Sequence, residues 1–137
     1  MPDPITNEAE MIAGMTPVLV SGVFVFCSVT EAEALGAALP HARGLFAEAE
    51  GMSLILPVEK ARGLGLPADQ PMRQITLNVY SSLTGVGLTA AVSGALAEAG
   101  IPANVVAAHH HDHVFVPEAQ AEAALSALLS LQSRALP

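Results

Sequence analysis

The sequence has no tryptophan, a single tyrosine and a single cysteine, and it sets only five basic residues against thirteen acidic ones. Each shortage excludes something. With Cys27 alone no internal disulfide forms, and nothing argues for an oxidising compartment, so a cytoplasmic protein is the expectation. The formal net charge of −8 repels phosphate backbones and anionic lipid surfaces. Arg43, Lys60, Arg62, Arg73 and Arg134 are scattered, so no positive stripe offsets that repulsion and no nucleic-acid partner is expected. Every apolar run is too short to cross a bilayer, and Met1 to Glu10 carries Asp3, Glu8 and Glu10 without a basic residue. Neither membrane insertion nor secretion is expected.

What the chain does have is apolar bulk. Hydrophobic residues, mostly Ala, Val and Leu, make up 52% of its 137 positions. That suits one compact domain, or two small halves sharing a core, and leaves no room for a large catalytic domain.

Asn7 to Gly14 reads as one or two helical turns, with Asn7 as N-cap and Glu10 completing a capping box. Val18 to Val29 is divided by Gly22, and its second piece, Val23 to Val29, is apolar on both faces, as in a doubly covered central strand. Thr30 to Leu39 is a short helix or loop, limited by Gly36 and Pro40. Ala42 to Glu48 and Met52 to Leu56 form a hairpin across Ala49-Glu50-Gly51. Pro57 opens a short helix that ends near Leu64, and a Pro- and Gly-bearing connector runs to Pro71.

The second half is clearer. Ile75, Leu77 and Val79 alternate with Thr76, Asn78 and Tyr80, the period of a strand. After Ser81 to Gly87, the residues Leu88, Ala91, Val92, Ala95, Leu96 and Ala99 fall on one helical face closed by Gly100. Ile101 to Ala107 is a strand, His109 to Asp112 a polar turn, and His113 to Val116 the return strand. Pro117 starts a helix with Ala121, Ala124, Leu125, Leu128 and Leu131 inward. Strand, helix, hairpin and helix in series, twice, is the α+β pattern of a ferredoxin-like βαββαβ fold. The halves are 1–70, a degenerate copy, and 71–137. Each lacks a clear last strand, so the two are expected to complete one another's sheets.

Leu83-Thr84-Gly85-Val86-Gly87-Leu88, then Leu96-Ala97-Glu98-Ala99-Gly100-Ile101 and Asn104-Val105-Val106, resemble an ACT domain. The whole chain, from about Glu10 to Leu131, resembles the small bacterial tandem ACT-like proteins. Met15-Thr16-Pro17-Val18-Leu19, Gly22 to Cys27, Glu48-Ala49-Glu50-Gly51, Ser81-Ser82-Leu83, Gly87 to Val92 and His110 to Pro117 carry that likeness. The resemblance implies a module that binds an amino acid or similar small molecule, commonly between two ACT units of a homodimer, and that regulates a partner. It implies no catalytic residue and no cofactor.

Gly85 and Gly87 stand where a strand feeds a helix, so the N–H groups from Thr84 through Gly85, Val86 and Gly87 to Leu88, with the positive helix end, can meet a carboxylate. Alternatively both glycines only permit a tight turn. Gly85-x-Gly87-x-x-Ala90 formally satisfies a dinucleotide fingerprint, but Asn104 to Ala108 lacks the acidic residue that a nucleotide-binding half needs after its next strand. Asn104 is a candidate contact to the ligand's polar groups. The run His109-His110-His111-Asp112-His113 raises a metal reading through the alternate members His109, His111 and His113, against which stands an ordinary hairpin turn. Cys27 reads as a buried structural thiol and Ser81-Ser82 has no nucleophile elbow around it. Three functions therefore compete: a small-molecule regulatory module, a structural or partner-binding protein without a pocket near Gly87, and a histidine-based metal protein.

Overall fold

A computed structural model describes residues 3–136. In chain order the elements are helix α1 (Glu8–Ala13), strands β1 (Pro17–Leu19) and β2 (Phe24–Val29), helix α2 (Ala32–Ala38), strands β3 (Gly44–Ala47) and β4 (Met52–Pro57), helix α3 (Val58–Gly63), strand β5 (Met72–Leu77), helix α4 (Leu88–Glu98), strands β6 (Asn104–Ala107) and β7 (Asp112–Pro117), and helix α5 (Ala121–Ala135). No helix among the described residues is long and apolar enough to cross a membrane. The chain forms two compact units: Gly22–Met72, and the residues up to Ser21 together with those from Arg73 on. These units differ from the halves 1–70 and 71–137 in where the first 21 residues belong. The reason is pairing, because β1 runs antiparallel to β5 with Pro17 opposite Leu77 and Leu19 opposite Ile75.

In the Gly22–Met72 unit, β4 lies between β3 and β2, antiparallel to both. The hairpin turn closes through reciprocal bonds between Glu48 and Gly51, with Gly51 at φ +156°. Val25, Cys27, Val29, Leu54 and Leu56 pack with Ala38, Val58 and Ala61 into one core. The opposite face is covered only in part, at Phe24, which is buried. Phe26 on the opposite face is 45% exposed, so β2 is not the doubly covered strand its sequence suggests. Adjacent strand residues face opposite ways, and α2 and α3 contribute to the core on only one of those faces. Pro57 precedes α3 as its cap residue, one place earlier than expected, with Val58 already buried.

The other unit orders its strands β1-β5-β7-β6, with β6 antiparallel to β7. Ile75, Leu77 and Val79, the alternating residues, meet Leu88, Val92 and Leu96 of α4 and Ala121, Ala124 and Leu128 of α5. Thus the helical and the strand periodicities converge on a single apolar layer. The N-terminal segment completes it. Asn7 Oδ1 accepts the Glu10 N–H at 3.0 Å, which caps α1 and supplies the Asn7 half of the expected capping box. The helix then places Met11, Ile12 and Met15 in the same core. Gln132 of α5 donates to the Ala13 carbonyl at 2.7 Å, and Asn78 N–H donates to the Met15 carbonyl at 2.6 Å.

If the N-terminal segment is part of that core, Met15→Ala, at a site with no solvent exposure, should be as destabilising as Leu96→Ala, each by about 2–5 kcal/mol. Chemical denaturation of the purified protein measures this. A Met15→Ala value near zero would show that residues up to Ser21 are dispensable to the unit.

Candidate functional site

Strand β5 ends at Leu77 and α4 begins at Leu88, so residues 78–87 form a long link on one end of the sheet. Its start is pinned by the N-terminus: Ile5 N–H donates to the Tyr80 carbonyl at 2.7 Å, and Ser82 N–H donates to the Ile5 carbonyl at 2.8 Å. The next residues fold tightly. Gly85 N–H donates to the Ser82 carbonyl at 3.0 Å, and Thr84 N–H donates to Ser82 Oγ at 3.1 Å. These bonds engage the N–H groups of Ser82, Thr84 and Gly85 before the chain turns into α4 at Gly87.

The two glycines differ in why they are needed. Gly87 takes φ +112°, a conformation that L side chains rarely adopt, and it is the residue from which α4 starts. A Cβ there would also lie 2.5 Å from Cδ and 2.6 Å from Oε2 of Glu8, whose carboxylate lies over this turn. Gly85 keeps an ordinary φ, and its constraint is space, with Met11 Sδ and the Ser82 carbonyl each 3.2 Å from where a Cβ would sit. Gly87 offers no side-chain cap to α4, and the first-turn N–H groups of a helix have no intrahelical acceptor. The positive end of the helix dipole is directed to the same place.

Beside this helix start lies a cavity of about 140 Å³. Its walls are Ser81, Ser82, Leu83, Gly85 and Gly87 of the link, Leu88 and Thr89 of α4, Met11 of α1, and Ala107, Ala108 and Asp112 of the β6–β7 hairpin. Asp112 stands opposite Ala107 in the hairpin register. Burial pushes its carboxyl pKa above the usual carboxylate range, and the imidazoles of His113 and then His111 pull it partly back. For a carboxyl raised in the folded state, the stabilising contribution belongs to the protonated form: it is complete at acid pH and disappears as pH rises through the folded pKa. Burial thus favours the neutral acid over the carboxylate here, and ionising Asp112 works against the stability of the fold.

Of the sequence candidates, Gly85, Gly87 and Leu88 line the cavity. Thr84 is exposed, its hydroxyl 2.9 Å from Ser82 Oγ, and Val86 is 79% exposed; neither is among the lining residues. Asn104 opens β6, but its amide donates to the Phe115 carbonyl across the hairpin at 3.3 Å, which engages it away from the loop. Met11 and Asp112 are among the lining residues that sequence reasoning did not assign to this site. For Asp112 a signal was available, because a ferredoxin-like unit brings its hairpin end to the same side as its first strand-to-helix link. For Met11 none was, since the packing of α1 into this unit is a long-range event.

The histidines go elsewhere. His109 lies in the turn before β7, its ring 6.3 Å from that of Tyr80 and edge-on to His110 at 4.8 Å. His111 Nδ1 is 3.2 Å from the Val79 carbonyl, and His113 Nδ1 is 3.0 Å from Thr76 Oγ1. The strand begins only at Asp112, so the alternation that would aim His109, His111 and His113 at one point does not apply. Among the described residues no three His, Cys, Asp or Glu side chains are grouped to hold a metal ion. Cys27 is buried, with Sγ 3.8 Å from the Pro67 carbonyl, and burial raises its thiol pKa, opposite to what a nucleophile needs.

The Gly22–Met72 unit has no counterpart of this link. Only Thr30 and Glu31 join β2 to α2, and the hairpin turn packs onto them: a Cβ on Gly51 would lie 2.9 Å from Ser28 Oγ and 3.0 Å from Thr30 Cγ2. In that unit the corresponding place is closed by the chain itself.

Known proteins agree with this architecture. ACT-domain family models match residues 4–73 and residues 71–130. No curated protein matches the sequence. Among solved structures, a Vibrio cholerae protein of unknown function, described as a possible transport protein, is 40% identical over 90% of this chain and 94% of its own, with a TM-score of 0.80. The ligand-free regulatory subunit of aspartate kinase from Thermus thermophilus is 13% identical over 86% of this chain and 97% of its own, at a TM-score of 0.63. Aspartokinase III of E. coli, in complex with aspartate and ADP, is 16% identical and matches 84% of this chain with 32% of its own, at 0.59. The last two likenesses concern the fold. Two family matches that together span residues 4–130, on two ferredoxin-like halves, mean that this chain belongs to the ACT-domain family.

Proposed function

We propose that the protein is a regulatory module that binds a small molecule of the amino-acid type in the cavity beside Gly87, and that it works as a homodimer in the cytoplasm without chemistry of its own. The cavity carries this reading. A fold kept only for structure or for a protein partner gives no reason to hold open a pocket beside an uncapped helix start and to keep a half-buried carboxyl group in its wall. Size narrows the ligand. An engineered cavity of about 150 Å³ takes benzene, so a space of this order suits roughly six heavy atoms, the scale of alanine or serine.

Regulation would follow from preferential binding to one state. A ligand shifts a conformational or association equilibrium only as far as its affinities for the two states differ. The ACT-domain family and the regulatory subunit of aspartate kinase are the precedents that support an amino acid as the effector.

A thermal-shift and calorimetric screen of the amino acids at millimolar concentration is the direct test. Small ones are expected to raise Tm and to titrate; no response across the set contradicts the reading. The turn is open to a separate check. Gly87→Ala should lower stability by about 1–3 kcal/mol, the usual range for a residue held in a sparsely populated backbone region. Because the Glu8 side chain is exposed and free to swing aside, most of that loss should persist in a Glu8→Ala background. Full recovery there would place the constraint in the Glu8 contact instead.

A further inference from the structure

We infer that Asp112 is the specificity residue of this cavity: it recognises a ligand's ammonium group, so the site takes amino acids and other small primary amines and rejects carboxylic acids that lack one. The inference rests on the ligand-binding reading above and adds the chemical class to it.

The charge pattern of the walls is the ground for it. None of the chain's five basic residues lines the cavity. The hydroxyl residues on the wall, Ser81, Ser82 and Thr89, are neutral, and Asp112 is its single ionisable side chain. A second carboxylate, Glu8, stands at the Gly87 rim. With two carboxylates and no basic side chain, the field inside favours a cation. An anion alone would find the backbone donors of α4 at one end, but would face Glu8 beside them and Asp112 across the cavity. A zwitterion resolves the conflict, with its carboxylate toward the helix start and its ammonium toward Asp112.

The placement of Asp112 supports the same role. It is half-buried on the hairpin, where burial outweighs the pull of the neighbouring imidazoles and penalises its charged form, a penalty that a bound cation relieves. A residue kept at a cost to the fold is characteristic of a site rather than of a scaffold. The glycine loop itself does not contain this carboxylate; it comes from the β6–β7 hairpin on the other side of the cavity.

The test is calorimetric titration of the whole protein with two matched sets: L-alanine, ethylamine and propionate, and L-serine, ethanolamine and 3-hydroxypropionate. The amino acids should bind best, the amines more weakly, and the acids not measurably. Asp112→Asn, nearly the same shape, should weaken amino-acid binding at least tenfold while its ligand-free Tm at neutral pH stays equal or rises. Glu8→Gln should improve the amino acid relative to the matched amine. Propionate binding as well as L-alanine, or Asp112→Asn binding like the parent, overturns the role of Asp112 and leaves the binding module standing. No binding by any probe or by any amino acid overturns both.

Discussion

Met11 is the side chain on which both fold and site turn. It is 1% exposed in the core of its unit, forms part of the cavity wall, and sits 3.2 Å from where a Cβ on Gly85 would be. Burying a methionine side chain is worth about 1.5–3 kcal/mol, which helps to hold a six-residue helix that would not persist alone. Once α1 is in place, Ile5 pins the start of the loop, Glu8 reaches the helix turn, and β1 supplies a strand to β5. The first segment of the chain thus builds the site of the unit that also contains the end of the chain.

Duplication did not produce two equal halves. Residues 78–87 give one unit slack between strand and helix, whereas Thr30 and Glu31 alone span that gap in the other. Slack leaves a cavity; the short link lets Gly51 close against Ser28 and Thr30. The helices differ in the same sense, with eleven residues in α4 against seven in α2. A longer helix starting at an uncapped glycine presents a fuller dipole to whatever occupies the space before it. In an acidic chain with so few basic residues, backbone donors are the positive charge at hand.

Much of the fold was legible because it rests on short-range rules. The Asn7 cap, the Glu48–Gly51 turn and the apolar stripe of Leu88, Val92 and Leu96 each follow from residue spacing. Phe26 was misread for the same reason: an unbroken apolar run has no period, so nothing local says that one face stays open. In the site, Gly87 could be read from the strand-to-helix junction, but Asn104, Thr84 and Val86 could not be oriented, because a strand's pairing and a loop's twist decide where side chains point. Met11 and Asp112 lie far from Gly87 in sequence and meet it only after the sheet has formed. The histidine run shows the converse, where residues close in sequence are separated by the start of a strand.

The central claim, that a small zwitterion is held between the start of α4 and Asp112, is most directly tested by following backbone amide chemical shifts as L-alanine or L-serine is added to the uniformly 15N-labelled protein. The largest changes should fall on Gly85, Gly87, Leu88 and Thr89, with a second group at Ala108 and Asp112 and little change within Gly22–Met72. Saturable shifts confined to the Gly22–Met72 unit, with Gly87 and Asp112 unmoved, would contradict it.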